Sequence, residues 1–155
     1  MEGEERVILP YLKSFIEEIN ILEEGGKYKL NGIKFATPIK QHHPGDVFGF
    51  VFNTGKLKVS YIVDTKYFPE LANIYKADIM IFNVIRLKPT ELEHLSIDDV
   101  KDTIVKAKPK TAILTHFGMT VLRAKPWELA ESMTHETGIQ VIAAKDGMKF
   151  ELPEI

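Results

Sequence analysis

The chain has 155 residues, 45% of them hydrophobic, 27% charged and 10% aromatic, with 20 Lys+Arg against 22 Asp+Glu. That length and balance suit one domain, residues 1–155, able to bury its own core, and they exclude disorder, collagen-like repeats and a coiled coil. A formal net charge of -2 supplies no overall excess of cations for a polyanion, so strong nucleic-acid binding is not expected from composition.

In chain order, Leu12, Phe15, Ile16 and Ile19 recur at helical spacing after Pro10, which predicts a helix over residues 7–21. Gly25-Gly26 ends that pattern, and residues 27–64 read as hairpins. Lys27 to Leu30 and Ile33 to Pro38 flank Asn31-Gly32, a turn pair whose residues both accept positive φ. Val47 to Phe52 and Leu57 to Val63 flank Asn53-Thr54-Gly55. From residue 68 to 155 the rhythm becomes βα. A short helix at Pro69 to Tyr75 precedes the apolar run Ile79 to Val84, and a helix at Ser96 to Lys106 precedes Thr111 to Thr115. Ser96 with Asp99 forms a capping-box pattern. Pro126 opens a further helix that Gly138 ends, and Ile139 to Ala144 with Lys149 to Leu152 read as a last pair of strands around Asp146-Gly147. The expected class is α/β, with a mixed sheet that starts in antiparallel hairpins and continues in βα units.

The sequence has no cysteine, so disulfides, thiolate metal sites and cysteine nucleophiles drop out together. Any metal must sit on His and carboxylates, a donor set that suits zinc, manganese or iron. Residues Met1 to Arg6 are acidic, and no apolar run approaches the ~18 residues of a membrane span, so no membrane partner and a cytoplasmic location are expected. Gln and Asn are scarce beside Lys and Glu, the lean of a thermophile protein.

Five histidines are present. His116 follows one apolar strand and Asp64 ends another, where a rigid sheet can fix a ligand's geometry. His43 and His94 lie in loops, and His42 reads as the bystander of its pair. His135 and the run Lys106, Lys108, Lys110 read as solvated helix ends.

Taken in order, His43 ahead of Gly49-Phe50, Tyr61-Ile62-Val63-Asp64-Thr65, Glu93-His94, Leu114-Thr115-His116-Phe117 and Asp146-Gly147-Met148 resemble the C-terminal half of metallo-β-lactamase-fold hydrolases. The branch they most resemble is that of ribonuclease Z and the cyclic-phosphate phosphodiesterases. The resemblance implies half of an αββα sandwich and hydrolysis dependent on a divalent metal, phosphodiesters being the favoured substrates and zinc the implied metal. It implies that His43, Asp64 and His116 bind metal, Asp64 bridging two ions, and that His94 protonates the leaving oxygen. The family's His-x-His-x-Asp-His motif is absent, since no two of the histidines lie two positions apart. The resemblance therefore implies a site incomplete or inactive alone, and a bare inner sheet face that self-association or a complementary N-terminal-half chain would cover. The alternatives are a catalytically silent interaction module and one half of a split enzyme.

Overall fold

The computed structural model describes residues 10–152. Seven strands form one sheet in sequence order: β1 (Gly26–Leu30), β2 (Ile33–Thr37), β3 (Phe50–Asn53), β4 (Lys58–Ile62), β5 (Ile79–Asn83), β6 (Thr111–Thr115) and β7 (Gln140–Ala143). The first three pairings are antiparallel and the last three parallel. The change follows from the connections. Links of two, twelve and four residues, none of them containing a helix, turn the chain back beside itself, whereas a parallel neighbour needs a crossover, here supplied by helices. These helices are α1 (Leu71–Ile74), α2 (Ile97–Ala107), α3 (Met119–Arg123) and α4 (Pro126–Thr137).

Alternation along the strands sorts the side chains onto two faces. Ile62, Met80, Phe82, Ala112, Leu114 and Val141 join the main core with Leu71, Val100, Ile104 and Met133 from the helices. Leu57, Ile79 and Ile113 start a smaller cluster on the other face, against which Val59, Ile81, Met148 and Phe150 pack. That second face continues across the antiparallel strands as aromatic rings. Phe35 stacks on Tyr28 at 5.2 Å between centroids and lies 6.0 and 5.8 Å from Phe50 and Phe52.

The capping box at α2 is complete: Ser96 Oγ accepts from the Asp99 amide, and Asp99 accepts from the Ser96 amide. Three expectations need correction. The helix predicted over residues 7–21 is a short 3-10 helix at Pro10–Phe15 followed by irregular chain, with residues 7–9 outside the described region. Its apolar residues Tyr11, Phe15 and Ile19 remain exposed, so nothing among the described residues supplies the packing on which short helices depend. Lys149 to Leu152 form no strand; the chain turns at Lys145–Met148 and lays Phe150 on the smaller cluster. α3 was not anticipated, being a single short turn between His116 and Pro126.

Candidate metal centre

All four candidate residues leave the same rim of the sheet, at the C-terminal ends of the parallel strands or in loops beside them. Asp64 lies two residues beyond β4 and His116 immediately follows β6. His43 is in the β2–β3 loop, and His94 is in the long segment between β5 and α2.

The β2–β3 loop is pinned from both sides. The His42 amide donates to Thr65 Oγ1 at 3.1 Å, and the Lys66 amide donates to the His42 carbonyl at 2.9 Å, which ties the loop to the segment carrying Asp64. The His42 ring packs on Phe68, centroids 4.4 Å apart, so the bystander has an anchoring role. Behind the loop, the buried Gln41 amide donates to the Tyr75 hydroxyl, and burial pushes that phenol up to about 12. Gly49 closes this packing, since a Cβ there would stand 2.6 Å from Gln41 Nε2 and 2.7 Å from the Tyr75 oxygen. His43 Nδ1 lies 3.0 Å from the Pro44 carbonyl. A carbonyl only accepts, so Nδ1 carries the proton and Nε2 keeps the lone pair a metal needs.

His94 is held by its neighbours' backbone. Ile85 donates to the Leu95 carbonyl at 3.2 Å, Ile97 donates to the Arg86 carbonyl at 2.9 Å, and Leu95 is fully buried. The His116 loop presses on the same segment through Gly118, where a Cβ would lie 2.8 Å from Ile85 Cγ2 and closer still to its carbonyl oxygen. His116 itself has φ +57°, a left-handed conformation uncommon for a residue with a Cβ and found preferentially at functional sites.

These constraints bring the side chains together. His43, Asp64 and His94 each offer a donor atom within 4.8 Å of the other two. His116 Nδ1 lies 3.8 Å from Asp64 Oδ1, so the carboxylate stands between the histidines. The His43 and His94 rings meet edge to face, centroids 5.1 Å apart. Burial holds the His94 imidazole below its usual range; Asp64 opposes this, while His43, His116 and Arg86 add to it. The neutral ring is the form that binds metal.

A nitrogen–nitrogen–oxygen set around one point fits a divalent ion. Tetrahedral bonds of ~2.0–2.2 Å to His and carboxylate put neighbouring donors ~3.4 Å apart, so donors within 4.8 Å of one another need to close by at most ~1.4 Å. Two residues that sequence reasoning missed complete the setting. Asn83 Nδ2 donates to Asp64 Oδ1 at 3.0 Å and its own Oδ1 accepts from the Tyr61 hydroxyl at 3.1 Å, a chain that orients the carboxylate. The available signal was a polar residue inside the apolar run Ile79 to Val84. Arg86 brings a cation whose field reaches His94 and whose buried Nε has no partner among the described residues.

Residues 4–117 match the profile of the beta-lactamase superfamily domain. The chain belongs to that superfamily. An uncharacterised protein of Methanocaldococcus jannaschii is 33% identical over 156 residues, covering 96% of this chain and 56% of that protein. The chain thus spans about half the length of the curated relative it matches. The fold is similar to that of the metallo-β-lactamase fold protein YhfI from Bacillus subtilis, with TM-score 0.71 at 17% identity over 82% of this chain and 53% of that one. It is also similar to a diphosphatase of the PhnP family, with TM-score 0.63 at 21% identity over 84% and 48%. The α/β class and the half-sandwich architecture therefore stand as the motifs implied. Among the described residues, no helix is long and apolar enough to cross a membrane.

Proposed function

We propose that this superfamily member is the C-terminal half of a metal-dependent hydrolase for phosphodiester-type substrates, with His43, Asp64 and His116 as metal donors, zinc the first candidate and manganese or iron the alternatives. The observation that carries this reading is the convergence of three histidines on Asp64 at one sheet rim. A divalent ion held there supplies Lewis acidity toward a substrate oxygen and toward water. Asp64 holds its carboxylate in place through Asn83, and Arg86 offers a positive charge to an anionic substrate, which favours a phosphodiester over a neutral ester or lactam. His94 delivers a proton to the leaving oxygen in this scheme. Its place in the donor group also suits ligation, and metal content separates the roles: as proton donor, His94→Ala keeps the metal and loses turnover; as ligand, it loses both.

The donor set is short for two ions, and the aromatic rings of the second face are only half-buried across β1–β3, so we propose that a further sheet, from a second copy or a complementary chain, covers the face and completes the site. The same two observations favour a second reading, an interaction module without catalysis. Metal analysis followed by turnover of bis(p-nitrophenyl) phosphate with zinc or manganese tests the first reading, His116→Ala being expected to abolish activity. Stoichiometric absence of metal with no turnover, in the presence of any covering chain found, would leave the second.

A further inference from the structure

The end of the sheet opposite the histidines carries a different chemistry. A concavity of about 670 Å³ on the helix-side face of the antiparallel strands is lined by Lys27, Lys29, Lys34 and Lys58 around Ala36 and Val51. A second, of about 580 Å³, shares Val51 and Lys58 with the first and adds Lys76, Lys108 and Lys110. The two are one groove. All of these lysines are exposed, and among the described residues only Lys110 pairs with a carboxylate, Asp78.

The strand register shows that the lysines are arranged rather than scattered. Lys29 opposes Lys34, Lys34 opposes Asn53, and Asn53 opposes Lys58, which places three lysines and an amide in one row across four strands. At ~4.8 Å per strand the row is ~14 Å long. Like charges directly opposite in an antiparallel pair destabilise it, and Lys29 against Lys34 is such a pair. A row of cations kept at that cost in a chain of net charge -2 points to an anionic ligand.

We propose that this groove binds the phosphate backbone of a single-stranded polynucleotide. The shape favours a chain over a membrane, because the cations line a concavity, and over a duplex, whose width exceeds the row. Lys58 opens β4 and Lys110 precedes β6, so the groove lies a strand's length, ~17 Å, from the rim bearing Asp64 and His116, and it requires no metal. This departs from the expectation drawn from the overall charge balance, because binding follows the local density of cations rather than their sum over the chain.

The test is fluorescence anisotropy with a labelled mixed-sequence 20-nucleotide RNA and its DNA counterpart, in a chelator, from 50 to 200 mM salt. With ~5 phosphates engaged, affinity should fall about 100-fold over that range. The combined Lys29→Glu, Lys34→Glu, Lys58→Glu variant should lose at least tenfold at 50 mM and show a shallower salt dependence. A control with the same charge change outside the groove, Lys88→Glu, Lys101→Glu, Lys125→Glu, should bind nearly as wild type. Lys34→Glu alone should raise the thermal midpoint of the free protein, which separates lost binding from lost folding. Equal losses in both triple variants would overturn the proposal, as would capture by phosphatidylserine vesicles without oligonucleotide binding. His116→Ala should bind normally, so a failed hydrolase assay leaves this result untouched.

Discussion

Asn83→Ala removes a hydrogen bond that reaches a candidate metal ligand without touching the metal position itself. In the native chain Asn83 is 7% exposed and donates to Asp64 Oδ1 at 3.0 Å. A hydrogen bond to a charged acceptor contributes about 1.5–3 kcal/mol, and 1.4 kcal/mol is tenfold in affinity. If that interaction holds the carboxylate toward His43 and His116, its loss should weaken zinc or manganese binding by about 10- to 100-fold, the range for partners behind a metal ligand. The Tyr61 hydroxyl loses its acceptor as well, but it is only half-buried and can turn to water. The stability cost is therefore the smaller effect, about 1 kcal/mol. Competition against a fluorescent chelator measures the affinity, and a thermal scan of the chelated protein measures stability. Metal affinity within threefold of wild type would refute the orienting role of Asn83 and weaken the assignment of Asp64 as the shared donor.

Ser60→Ala should leave the protein as stable or raise its midpoint by ~3 °C, because this fully buried hydroxyl has no partner in the described structure and its removal ends a desolvation cost of about 1 kcal/mol. Gly118→Ala should lower the midpoint by several degrees, at ~1–3 kcal/mol, and reduce metal affinity too, since the new Cβ displaces the Ile85 segment leading to His94. The Asp78 carboxyl is held below the usual carboxylate range, first by the Lys58 amide and then by Lys110. Its stabilisation is accordingly full above the unfolded value near ~3.9 and is lost as pH falls through the lower folded value, so Asp78→Ala should cost ~1 kcal/mol at pH 7 and progressively less as pH falls below ~3.9, measured as urea midpoints.

Where a local physical rule decides the conformation, the sequence was enough. Asn31-Gly32 sits at positive φ in both residues, and the Ser96 and Asp99 cap closes as their spacing requires. The βα order from Phe68 onward produces a parallel sheet. Asp64 and His116 were legible as polar residues ending apolar strands. Where the outcome depends on a surface elsewhere, pattern alone misled. The stripe at Leu12, Phe15 and Ile19 has helical spacing, but a stripe specifies a helix only when something buries it. Asn83 was hidden for the opposite reason, being one polar position in an apolar strand whose purpose is set by a carboxylate 19 residues earlier.

The order of donors along the chain, the absence of thiols and the alternation of strand and helix were thus properties of the sequence, because each follows from residue type and near-neighbour spacing. Only the tertiary structure decided that His94 joins His43 and Asp64, that the charge of Arg86 is felt at His94, and that scattered lysines align into a row across four strands. Those relations join residues far apart in the chain, and their distances are set by sheet register and loop packing, which no local window of sequence contains.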